Sequence, residues 1–359
     1  MSFLQQSDRR TVSFWDVTVK GYSRKRKVNV AEPLDLKTLF LQLQKLRISN
    51  FRTGPLEYEV KSKRISVWLD AISFDKDMVT LLFLIMDDKA AKQTYRNLKT
   101  KRVRQAIRYE DEKSEFSAHV IISLNSDPNV PHMYPCIVED TPNASMNLLI
   151  SALNRFLKDT ALKYEKHFLQ THPDGSFDSK GQPVMMKTYS KLSATGHPGE
   201  DFKKSLREGK ISGLFAITKF EVDKSIDSTN IVKPIRKELA FSVSKGVADV
   251  DNYTYLERVR NYSFNEKCDV LKVQFKDQDE NSYTLNVDPA SGGLLDERKF
   301  IKRCVLTGFS SELNTSINGQ FNFELIRKAK ELLIGEIDVA VGDIDDLDLG
   351  PDALSVGVV

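Results

Sequence analysis

VSFWDVTVKGYSRKRKVNVAEPLDLKTLFLQLQKL, residues 12–46, holds both halves of the fold in one run. Val12 to Val19 is rich in aromatic and β-branched residues, Gly21 to Lys27 is polar and basic, and Val28 to Val30 is β-prone again. Two such runs around a polar turn predict a hairpin with a basic tip. Pro33 and Asp35 then introduce Leu36, Leu39, Phe40, Leu43 and Leu46, spaced by three and four. That spacing puts them on one helix face, with Asp35 as the N-cap. Hairpin followed by amphipathic helix is the signature of an α+β chain.

The pattern repeats outward. Leu56 to Val60 and Ile65 to Ala71 flank Lys61-Ser-Lys-Arg64, a second hairpin with a basic turn. Val79 to Met86 predicts a buried strand, Lys89 to Arg108 a charged helix, and Phe116 to Leu124 another strand. Residues 125–143 contain four prolines and read as a loop with one short strand, before a long helix from Asn143 to Leu169 with Leu149, Leu153, Phe156 and Leu157 inward. Thr171 to Gly199, rich in Gly, Pro, Ser and His, is the expected domain junction. Strand Ile211 to Val222, a third hairpin (Cys268 to Lys276 with Tyr283 to Val287), and helices at Leu294 to Leu306 and Phe321 to Ile334 follow. The expected architecture is α+β, with two domains of antiparallel hairpins and sheets packed with helices. The N-terminal domain covers 1–170, the junction 171–200, the C-terminal domain 201–335, and a disordered acidic tail 336–359.

Composition narrows the functional classes. No stretch approaches the ~20 apolar residues of a membrane span, and the charged N-terminus lacks a signal-peptide core. Three well-separated cysteines, Cys136, Cys268 and Cys304, argue against a disulfide framework, so a cytoplasmic chain is expected. Net charge is +3, yet residues 1–110 hold 23 Lys/Arg against 12 Asp/Glu, and from Glu336 onward there are seven acids and no base. A basic body with an acidic appendix points towards anionic partners. The usual signals of nucleotide hydrolysis, dinucleotide redox chemistry, zinc proteolysis and nucleophile-elbow hydrolysis are missing. A non-enzymatic protein with no cofactor is expected.

Three remnants of site chemistry have bland counterparts. His132, Cys136, His167 and His172 are zinc-ligand types, but Pro131 and Pro135 account for that segment as a rigid loop, and no metal is expected. Asp87-Asp88 after an apolar strand resembles half of a magnesium-nuclease carboxylate set; the competing role is capping the helix from Lys89. His197-Pro-Gly-Glu-Asp201 reads as a turn into a helix carrying Phe202 and Leu206.

Basic clusters are the positive signal. Arg24, Lys25, Arg26 and Lys27 lie on one expected tip, Lys61, Lys63 and Arg64 on another. The stretch from Lys92 adds Arg96, Lys99, Lys101, Arg102, Arg104 and Arg108; as a helix it would put Lys92, Arg96 and Lys99 on one face and Lys101, Arg104 and Arg108 on a different one. Lys and Arg neutralise phosphates and release counterions, and a β-ribbon can enter or straddle a groove. The expected contacts to duplex DNA are Arg24 to Lys27, Lys61, Lys63, Arg64, Lys99, Lys101, Arg102 and Arg104. Two other readings stay open: a metal-dependent nuclease using Asp87 or Asp88, and a protein–protein interaction module without DNA.

The order of features resembles the RexA family, the sensor component of a phage-encoded exclusion system. The resemblance rests on Phe14-Trp15, the basic turn through Lys27, Leu36-xx-Leu39-Phe40-xx-Leu43, Asp88-Lys89, Ile231-Val232-Lys233-Pro234, and Val273-x-x-Lys276-Asp277 before a terminal helix. It implies a two-domain DNA-binding homodimer with domains similar to the RdgC recombination-associated proteins, acting in phage exclusion beside a membrane-protein partner. The B component of the Kiwa defence system resembles the chain more distantly. No catalytic residue follows from the resemblance.

Overall fold

The computed structural model describes residues 8–24, 31–50, 56–60, 62–90, 94–107, 109, 112–128, 130–219, 236–241, 252–295, 298–310, 313 and 320–345. In chain order the elements are β1 (Arg10–Ser23), α1 (Leu36–Asn50), β2 (Leu56–Val60), β3 (Ile65–Phe74), β4 (Met78–Asp87), β5 (Thr94–Arg96), β6 (Val103–Gln105), β7 (Ser114–Ser123) and β8 (Met133–Glu139). Then come α2 (Met146–Lys163), β9 (Leu169–Thr171), β10 (Met185–Gly196), α3 (Glu200–Glu208), β11 (Lys210–Lys219), β12 (Arg236–Phe241) and α4 (Asn252–Asn265). The last are β13 (Val270–Lys276), β14 (Ser282–Val287), β15 (Arg303–Leu306) and α5 (Phe323–Asp345). The fold is α+β with antiparallel sheets.

The large sheet runs β2-β3-β4-β7-β8-β1-β10-β9, with β15 also on β1. β1 is its central strand because residues on both faces are apolar. Trp15, Val17 and Val19 point into a core under α1 and α2, while Val12 and Phe14 point into a second core under α5. Period-two alternation sends successive side chains to opposite faces. One edge of β1 pairs with β8, and the other is shared by β15 at Arg10 to Ser13 and β10 at Trp15 to Ser23. β4 is buried along its whole length, Thr80 and the terminal Asp87 included, in a run that is otherwise apolar. Gly21 is fixed by close approach, since a Cβ there would meet the Ala31 carbonyl oxygen at 2.2 Å.

The helices follow their caps. Asp35 Oδ1 accepts the Thr38 N–H at 2.8 Å and starts α1, whose Leu36, Leu39, Phe40, Leu43 and Leu46 are buried. Ser145 caps α2 by accepting the Leu148 N–H, and Leu149, Leu153, Phe156 and Leu157 face inward. On the opposite face α5 buries Leu325, Ile326, Ala329 and Leu333; each of the three larger side chains contributes about 1.5–3 kcal/mol. The smaller sheet, β12-β11-β13-β14, carries α3 and α4 and lies between β10 and β15 in sequence. Phe202, Phe275 and Phe300 meet there with ring centroids about 6 Å apart.

Four expectations change. The stretch 89–108 is not a helix; it contains the paired strands β5 and β6. Residues 171–200, expected as a junction, carry β10, which pairs with β1 from Trp15 to Ser23. Two of their four glycines serve the β9–β10 loop, where Gly175 and Gly181 take φ of 67° and 73°. Residues 294–306 form a 3₁₀ turn at Arg298–Phe300 and β15 instead of a helix, because neighbouring strands take their backbone groups: Leu294 N–H bonds Gly196 O and Leu295 N–H bonds Asn286 O. The terminal helix extends to Asp345, so residues 336–345 of the expected tail are helical. Residues 346–359 lie outside the described residues, as do Lys25, Arg26, Lys27 and Lys61. Among the described residues no helix is long and apolar enough to cross a membrane.

Candidate nucleic-acid interface

β4 and β7 are antiparallel neighbours whose last pair is Asp87 with Ser114. A tight hairpin would join them in about two to five residues, yet residues 88–113 intervene. Within that insertion β5 and β6 pair only with each other, Thr94 with Gln105, Tyr95 with Arg104 and Arg96 with Val103. Every residue from 94 to 105 is exposed. The segment is a two-stranded arm standing off the sheet.

The arm is locally self-sufficient. Asn97 Oδ1 accepts the N–H groups of Lys99 (2.9 Å) and Thr100 (2.8 Å), the turn habit of asparagine. Two backbone bonds close the loop, Asn97 N–H to Arg102 O and Lys101 N–H to Asn97 O, both 2.9 Å. Lys101 sits at φ 60°, a left-handed conformation that this closure imposes. The Arg104 guanidinium lies 4.7 Å over the Tyr95 ring, and Arg96 Nη1 reaches the Lys101 carbonyl at 3.5 Å. Residues 94–105 hold Arg96, Lys99, Lys101, Arg102 and Arg104 and no acid. Cross-strand pairing puts Tyr95 and Arg104 on one face, and Arg96 and Val103 on the other. Both faces carry an arginine, and neither carries an apolar stripe of the kind that packs on a protein sheet.

The β2–β3 turn joins the root of this arm. Asp88 N–H donates to the Arg64 carbonyl at 3.2 Å, and the Arg64 side chain approaches Asp88 at 3.7 Å. Lys63 and Arg64 are exposed, and Arg64 takes φ 54°. Two of the three expected basic clusters therefore share one end of the sheet. Arg24 does not join them. Alternating strand directions put the end of β1 at the opposite end from Asp87. There Arg24 donates to the Ala161 carbonyl and to Glu165 at 3.5 Å. Its charge is spent on the last turn of α2. Lys187, at 2.7 Å, and then Arg24 hold the Glu165 carboxyl below its ordinary value.

Other sequence candidates are accounted for by local structure. Among the described residues no helix follows Asp87 before β5. Its Oδ1 accepts the Lys89 N–H at 2.8 Å in a turn, and its Oδ2 accepts the Asn143 side-chain amide at 2.8 Å. Cys136 lies in the core, where burial foremost and then the Asp16 charge push its thiol well up. His132 faces Glu32 at 3.4 Å and His172 faces Asp174 at 2.7 Å. No group of three or more His, Cys, Asp or Glu suited to a metal ion occurs among the described residues. His197 precedes α3, as its turn reading requires, but its Nε2 also reaches the buried Asp16 carboxylate at 2.9 Å.

One polar cluster had no sequence signal. Glu139, nearly fully buried, takes Arg10 Nε at 3.0 Å, His119 Nδ1 at 2.7 Å and the His119 backbone N–H at 3.2 Å. The Asn322 N–H donates to His119 Nε2 at 3.2 Å, which sets the ring proton on Nδ1. These groups come from three strands and the start of α5, and no linear spacing predicts their meeting. No family model, curated protein or solved structure matches this chain, so the functional reading rests on the geometry of the arm.

Proposed function

We propose that the protein is a non-enzymatic, largely sequence-independent binder of double-stranded DNA, acting through the β5–β6 arm and the Lys63–Arg64 turn at its root. The carrying observation is the arm itself: five cations and no acid in residues 94–105, every one of them exposed, on a ribbon whose two strands pair only with each other among the described residues. Three residues of strand rise about 10 Å, enough to enter a major groove ~8.5 Å deep and ~12 Å wide. Inside a groove both ribbon faces meet phosphate walls, which suits an arm with arginines on both. Phage exclusion as a homodimer with a membrane-protein partner, the context that the RexA-like order of features implies, belongs to the same proposal.

The test is a gel shift on duplexes of unrelated sequence with the Lys99→Ala/Lys101→Ala/Arg102→Ala/Arg104→Ala variant. Affinity should fall on all of them alike, and the slope of log K against log salt should flatten by about 3–4, near 0.9 per lost phosphate contact. Unchanged affinity and slope would refute the proposal.

A further inference from the structure

Leu98 is 79% exposed at the apex of the arm, between Asn97 and Lys99. Other large apolar side chains are as exposed, Ile107 at 81% among them, but Leu98 alone stands at the apex between the arm's cations, and the turn beneath it is fixed by the Asn97 side chain and two backbone bonds. Resting on the DNA-binding reading, we propose that Leu98 is a wedge that enters the base stack, and that the preferred ligand is duplex DNA with a weakened stack: a mismatch, a bulge or a flexible pyrimidine–purine step. In the major groove such a side chain meets thymine methyls, which are small and scattered with sequence; the larger apolar surfaces are the base faces, which become accessible when a step opens. The gain from burying one leucine and the cost of opening an intact step are of similar size. Insertion is therefore nearly neutral on intact duplex and favourable where the step is already loosened.

Charge decides against a second copy of the arm as the occupant. Pairing two arms would set five cations against five, with no acid in residues 94–105 to offset them. A phosphate-lined partner turns the same cations into contacts, and these would hold the tip where a wedge can act.

The experiment compares matched duplex with the same duplex carrying a central two-base mismatch, both end-labelled for fluorescence energy transfer, for the wild-type protein and Leu98→Ala. The wild-type protein should favour the mismatched duplex by about tenfold and shorten its end-to-end distance. In Leu98→Ala, whose melting temperature should not move because the side chain packs on nothing, the preference should shrink towards unity and the bend should disappear. Binding of both duplexes without preference by the wild-type protein, or a preference that survives in Leu98→Ala, would overturn the wedge and leave the DNA-binding reading standing. No binding to either duplex at low salt would overturn both.

Discussion

Arg10, Glu139 and His119 show what a buried charge needs in this protein. Glu139 collects three donors, and Arg10 Nη2 also donates to the Leu313 carbonyl at 2.9 Å. Desolvating a carboxylate is tolerable only with such complete pairing. The expected consequence is a strong asymmetry between variants. Arg10→Met alone leaves a buried carboxylate with its His119 donors but without its arginine and should cost about 3–5 kcal/mol in urea denaturation. Combining it with Glu139→Leu should recover part of that loss, because no unpaired charge remains. A single-variant loss below about 1 kcal/mol would contradict the reading. Because the Asn322 N–H bonds His119 and Asn322 Oδ1 accepts the Leu325 N–H at 3.0 Å, the same cluster positions the start of α5.

Among the elements, the arm is where sequence and structure diverge most usefully. Lys92, Arg96 and Lys99 recur at helical spacing, and nothing apolar contradicts the helix. What decides is Asn97, whose side chain closes a turn, with Tyr95 and Val103 on the strands that flank it. By contrast α1 was legible, since Asp35 and the Leu36–Leu46 spacing state both cap and face in local sequence; α2 was legible by its inward face, but it ends at Lys163, and Leu169 opens β9. The hairpins β2–β3 and β13–β14 were legible for the same reason. The pairing of β1 with β10 was not, because partners some 180 residues apart leave no local trace. Of the site, its residue types and its exposure were readable; the meeting of Lys63 and Arg64 with the arm root, and the diversion of Arg24 to α2, needed the sheet order. A second expectation belongs at this scale. Replacing residues 89–112 by an Asn-Gly turn should leave thermal unfolding unchanged, because β4 and β7 keep their pairing. The same replacement should abolish duplex binding. A misfolded product would show that the arm is structural, contrary to its complete exposure.

Taken whole, the molecule separates its charges. Residues 94–105 of the arm carry five cations and no acid, its root and flanking sequence mix Lys63 and Arg64 with Asp88, Glu110, Asp111 and Glu112, and residues 346–359 add Asp346, Asp348 and Asp352 with no base. An acidic terminus that reaches those cations would compete with DNA for them. Removing residues 346–359 should therefore tighten duplex binding at low salt, with the difference fading as salt screens both partners. Equal affinities for the full-length and truncated chains in fluorescence anisotropy would leave the terminus without that role. The most direct measurement is the salt dependence of wild-type binding to a random-sequence duplex. Seven cations on the arm and its root, Arg96, Lys99, Lys101, Arg102, Arg104, Lys63 and Arg64, predict a slope of log K against log salt of about −6. A slope shallower than about −2, or no binding at 50 mM salt, would contradict the account.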